Sequence, residues 1–115
     1  MRGHFGDEIE QLFDELHFEE EPRKLDEIMT AEGEFFDRVW HHRSLQHQYG
    51  LEDAGDDTEV ERLTAIAGPA RARVESTYTD DGQLGPYTDF ELGMLNGKLS
   101  TLRWVLGSKW DFLDT

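Results

Sequence analysis

The stretch TDFELGMLNGKLSTLRWVLG, residues 88–107, decides the fold class. Thr88 and Glu91 stand at the spacing of a capping box, in which each side chain takes up a backbone N–H left free at a helix start. Leu92, Leu95, Leu99, Leu102 and Leu106 then recur at steps of three and four, so one face of the helix is continuous leucine. Gly107 is placed to stop it. A stripe this regular is stable only under other apolar helix faces, which predicts an all-α, compact bundle of about four helices. Gly93, Gly97, Ser100, Thr101 and Trp104 fall on a different face of the same helix. A glycine inside a helix costs about 1 kcal/mol relative to alanine, so two of them one turn apart call for a compensating packing role. Small residues at this spacing let a second helix approach closely, for steric reasons that hold outside membranes too. Gly93, Gly97, Thr101 and Trp104 are therefore the candidate interaction groove. It either packs against the second or third helix of the chain or meets a partner or a second copy.

Three further segments supply faces for the leucines. Asp7 and Glu10 have the form of a capping box, and Ile9, Leu12, Phe13 and Leu16 follow on one face with acids opposite. Pro22 ends that segment and suits the first turn of the next. Leu25, Ile28, Glu32, Phe35, Val39, His42, Gln46 and Tyr49 form an unbroken heptad seam, with Glu32-Gly33 its weak point and Gly50 its stop. The polar end of the seam, His42 and Gln46, is expected to be less buried than its start, or hydrogen-bonded. Leu51 to Asp57 reads as a polar loop. Val60, Leu63, Ala67, Ala70, Val74 and Tyr78 then give a third helix starting near Asp57 or Thr58, with Pro69 predicted to kink it. Asp80-Asp81-Gly82 and Gly85-Pro86 mark a turn-rich connection. A tail from Ser108 to Thr115 carries Trp110, Phe112 and Leu113.

With 115 residues the chain has the size of one domain, residues 1–115. No apolar run approaches the ~20 residues of a membrane span, and no hydrophobic leader follows Met1, so a cytoplasmic location is expected. Cysteine is absent, which excludes disulfides, thiolate metal sites and a cysteine nucleophile. The formal net charge is −15. Such a surface repels nucleic acid and anionic lipid, so neither is an expected partner. Three readings of the charge compete: adaptation to a salty, halophilic cytoplasm, mimicry of the DNA phosphate backbone, and a solvated surface that keeps the protein in solution. The acids are concentrated toward the N-terminus, where residues 1–34 hold Asp7, Glu8, Glu10, Asp14, Glu15, Glu19 to Glu21, Asp26, Glu27, Glu32 and Glu34 against Arg2, Arg23 and Lys24.

No catalytic pattern emerges. Ser44, Ser76, Ser100 and Ser108 lack a base and an orienting group at a recognisable spacing. Residues 93–99 echo a phosphate-binding loop, but the glycine spacing is wrong and they lie within a helix. The acid pair Glu19/Glu21 is uninformative in a chain so rich in carboxylates. Glu34, Asp37 and His41 share a helical face, the arrangement by which helical bundles hold iron or manganese. A matching Glu-x-x-His on a second helix is missing, so these residues are expected to form a solvated polar face. No metal and no cofactor are expected.

The block Asp89-Phe90-Glu91-Leu92-Gly93 to Val105-Leu106-Gly107, followed by Trp110-Asp111-Phe112-Leu113-Asp114-Thr115, resembles a family of small uncharacterised proteins from actinobacteria, haloarchaea and their tailed viruses. Phe36-Asp37-Arg38-Val39-Trp40 resembles a weaker part of the same pattern. The resemblance covers about a third of the chain and implies a viral or mobile-element origin, with no activity or ligand attached. Together these readings lead to a non-enzymatic acidic helical protein that acts through a protein partner or as a homo-oligomer. The alternatives are an acidic nucleic-acid mimic that inhibits a DNA- or RNA-binding protein, and a helical-bundle metal-binding protein around Asp37 and His41.

Overall fold

A computed structural model describes residues 8–12 and 21–109. The protein is all-α: residues 8–12 are helical, and three longer helices follow, α1 (Leu25–Asp53), α2 (Asp57–Thr77) and α3 (Asp89–Val105). The Asp7 capping box, Phe13 and Leu16 of the first segment, and the Trp110, Phe112 and Leu113 tail lie outside the described residues.

The spine is α1, 29 residues and therefore about 43 Å long. It begins after Lys24, whose N–H donates to the Glu27 carboxylate at 3.1 Å, so Pro22 precedes the helix rather than forming its first turn. It runs unbroken through Glu32-Gly33 and past Gly50, where the sequence suggested a weak point and a stop. Helix hydrogen bonds on either side outweigh a single glycine's lost propensity. The chain turns only at Gly55, whose φ of +75° suits glycine, and the expected loop from Leu51 shrinks to Ala54–Asp56. Asp56 caps α2 by accepting from the Glu59 N–H at 3.2 Å. Pro69 lies inside α2, and the helix continues on both sides of it.

Both capping predictions for α3 hold. Thr88 Oγ1 accepts from the Glu91 N–H at 3.1 Å, and the Glu91 carboxylate accepts from the Thr88 N–H at 2.9 Å. At the other end the Ser108 N–H reaches the Arg103 carbonyl and the Gly107 N–H the Trp104 carbonyl, with Gly107 at φ +109°. This crossed pair is a Schellman ending, and only glycine adopts that φ without strain.

Both shorter helices run antiparallel to α1, but on opposite faces of it. Ile28, Glu32, Phe35 and Val39 lie within about 60° of one another on the helical wheel and meet α3. Asp37, His41, Ser44 and Gln48 project from the far side and meet α2. Hence α3 covers the N-terminal half of α1 and α2 the C-terminal half, and no Cα of α2 comes within 8 Å of one in α3. Leu95 and Leu99 bury with Val39, supported by Phe35 and Tyr87. Ala67 and Val74 bury on the α2 side, in the register expected for that helix. The heptad seam is thus covered only over its middle. Leu25 and Tyr49 at its ends are 64% and 49% exposed, and Gln46 is exposed as well.

Candidate helix-docking groove

Two parallel stripes define the groove. From α1 come Ile28, Ala31 and Phe35, at steps of three and four; from α3 come Met94, Gly97 and Thr101, at the same steps. Leu102 adds apolar floor, while Arg23, Glu27 and Lys98 stand at the rim. The space between them is about 730 Å³. Its walls are straight because each stripe repeats with the helical period. It is open because α3 contributes a glycine and a threonine where a leucine would fill it.

Gly97 and Thr101 of the predicted interaction set line this groove, while Gly93 and Trp104 are exposed on α3 beside it. Among the described residues, no other helix packs close against the glycines. A Cβ placed on Gly93 or Gly97 meets nothing within 4 Å among the described residues. The reason is positional. Leu95 and Leu99 point at α1, and Gly97 lies half a turn away from both, so the core that α3 builds is on its other side. Thr101 donates its hydroxyl to the Gly97 carbonyl at 2.8 Å, which satisfies the hydroxyl within the helix.

Cations line one side. The Lys98 Nζ sits 5.6 Å from the centre of the Phe35 ring, on which the Arg38 guanidinium also rests at 5.9 Å. Arg38 is tied to Glu34 at 3.2 Å and to the Gln83 carbonyl at 2.9 Å, whereas Lys98 forms no ion pair among the described residues. Arg23 reaches Glu27 at 3.3 Å, an exposed pair of little energetic weight. Arg103 closes the opposite side of the α1/α3 contact through Glu32 at 3.1 Å and the Phe36 ring at 5.3 Å.

The face carrying Glu34, Asp37 and His41 is solvated only in part: Asp37 and His41 are covered by α2, while Glu34 keeps an exposed side chain. Asp37 accepts from the Tyr78 hydroxyl at 2.8 Å and pairs with Arg73 at 3.4 Å. His41 is 4% exposed, and its Nε2 donates to the Glu75 carboxylate at 3.0 Å while Nδ1 is buried without a partner. One helical turn on, Arg71 donates to the Ser44 hydroxyl at 2.7 Å, to the Ser44 carbonyl at 2.8 Å and to Gln48. Burial, and then the Asp37 hydrogen bond, push the Tyr78 hydroxyl up to about 12. Glu34 turns instead to Arg38, so the three residues do not converge, and no group of three metal-ligating side chains exists among the described residues. Sequence reasoning missed this polar seam because its signal, Asp37, His41, Ser44 and Gln48 at steps of four, three and four, is that of any solvated face. Ser44 serves Arg71, and the Ser76 hydroxyl donates to the Arg73 carbonyl at 2.9 Å; neither is set against a base.

No protein-family model, curated protein or solved structure matches the chain. No helix among the described residues is long and apolar enough to cross a membrane. Fold and groove together define the class: an all-α protein that offers an open apolar trough between two antiparallel helices.

Proposed function

We propose that this is a non-enzymatic interaction protein whose α1/α3 groove receives an amphipathic helix of a protein partner. The observation behind this reading is the pair of matched stripes, Ile28/Ala31/Phe35 facing Met94/Gly97/Thr101. Helix-in-groove recognition uses anchors at i, i+3 and i+7, and both walls repeat at that interval over about 10 Å, or two turns. The absence of side-chain volume at Gly97 supports the same reading, since it leaves room for a third helix. Resemblance of the C-terminal block to small actinobacterial, haloarchaeal and viral proteins favours a viral or mobile-element origin, and an accessory, structural or regulatory role is compatible with that origin.

The test is a methyl-resolved NMR titration with helical peptides that carry an i, i+3, i+7 apolar stripe and differ in charge. Shifts confined to the methyls of Ile28, Ala31 and Met94 are expected. Peptides that leave those methyls unmoved while saturating elsewhere, or that bind nowhere, overturn the reading.

A further inference from the structure

The same chain holds a complementary surface. Residues 8–12 are helical, and Ile9 and Leu12 on one side of that helix are 56% and 57% exposed. The sequence continues the stripe as Ile9-x-x-Leu12-Phe13-x-x-Leu16, which spans seven residues, as do both walls of the groove. Charge is matched as well. Asp7, Glu8, Glu10, Asp14 and Glu15 flank the stripe in sequence without a single Lys or Arg among residues 7–16; the groove carries Lys98, which has no ion pair among the described residues, and Arg23, which is shared with Glu27 at 3.3 Å. In a chain of net charge −15, an acidic helix meets few surfaces that do not repel it.

Reach also allows the contact. Ten residues lie between Leu12 and Arg23, a reach of up to about 35 Å when extended, and Phe35 at the far end of the groove is only about 15 Å along α1 from Leu25. We infer that the groove accepts the chain's own acidic N-terminal helix, with Ile9 and Leu12 set between the two stripes and the flanking acids toward Arg23 and Lys98. This rests on the proposed helix-docking function and makes it more specific. A partner helix must displace residues 8–12, and it succeeds by carrying the same acidic, i, i+3, i+7 pattern.

The chain has no cysteine, so an engineered pair reports without background. Leu12→Cys is combined with Thr101→Cys in the groove, and separately with Arg62→Cys on α2 as control; all three sites are exposed, so the fold is preserved. Under mild oxidation of the full-length protein, the Leu12/Thr101 pair should close within one chain, at a rate independent of protein concentration and at least about tenfold above the control. Lys98→Glu should slow it several-fold. A nitroxide on Leu12→Cys alone should broaden the Ala31 and Met94 methyls. Equal rates for the two pairs, or a product solely of doubled mass, overturn the inference. The peptide titration separates its failure from that of the wider reading. If Ile28, Ala31 and Met94 shift with added peptide but the intrachain disulfide does not form, the groove docks a helix and only its assignment to residues 8–12 is wrong. If neither occurs, both fall.

Discussion

Thr88 shows how one side chain can start a helix. Its hydroxyl and the Glu91 carboxylate satisfy two backbone N–H groups at the start of α3, and the aligned dipole there favours the negative charge. The Thr88 backbone bond, and then its side chain, hold the Glu91 carboxyl below the ordinary carboxylate range. A carboxyl whose folded value is depressed stabilises the fold above its unfolded value, and that gain is lost as the pH falls through the folded value. Thr88→Ala should therefore cost on the order of 1 kcal/mol at neutral pH. Its deficit against the parent should narrow in acid, below the usual glutamate range. Thermal melts of both proteins across pH check this; a deficit that does not change with pH would mean that the Thr88 side chain does not act on the Glu91 carboxylate. His41 and Arg71 show what a residue's identity leaves unsaid. Both look like surface residues in the sequence, and both are buried where α1 and α2 pack together.

At the scale of the element, α3 is built with two unlike faces. Leu95 and Leu99 are 5% and 1% exposed, and burying a leucine contributes about 1.5–3 kcal/mol, so this face holds α3 on α1. Gly93 and Gly97 on the other face lower helix propensity, and a Cβ at either would meet nothing within 4 Å among the described residues. Gly97→Ala should consequently stabilise the protein by about 0.5–1 kcal/mol, through the ordinary glycine-to-alanine difference in a helix. A loss of stability instead would show that something packs against Gly97 in solution. The same substitution should weaken helix docking, because its methyl enters the groove; melting temperature and the peptide titration on one variant separate the two effects. Elements were the most legible level in the sequence. Each stripe on α2 and α3 appears at its expected register, since a periodic apolar face is a local property. Helix ends were less legible: Gly50 and Gly33 carry the residue type of a stop or a break, yet both lie within α1, where neighbouring turns keep the helix intact.

For the whole molecule, the architecture is a long helix covered on opposite faces at opposite ends. Two small contacts that share only α1 leave the groove side of α1 and α3 open. The charge works against compaction. With a net charge of −15, and acids gathered near the start of α1, mutual repulsion is relieved by salt on the scale of the Debye length, about 10 Å at 0.1 M. The melting temperature should therefore rise from low to molar salt; a flat or falling curve would mean that the acids are already balanced by their neighbours. Several are, including Glu32 by Arg103 and Asp37 by Arg73, so the rise should come from the acids outside these pairs.

By itself, the sequence determined the helical class, the leucine face of α3, its two caps and the register of α2, because each depends on residues within a few positions of one another. The small-residue face of α3 was legible as a candidate site for the same reason. Only the tertiary structure decided what those faces meet. Whether Asp37, His41, Ser44 and Gln48 form a solvated edge or a buried polar seam depends on where α2 lies, and whether Gly97 sits in a contact or a groove depends on which side of α3 faces α1. Both are set by the direction in which the chain returns after Gly55 and after the turn at 80–88. Local periodicity is the same for either direction.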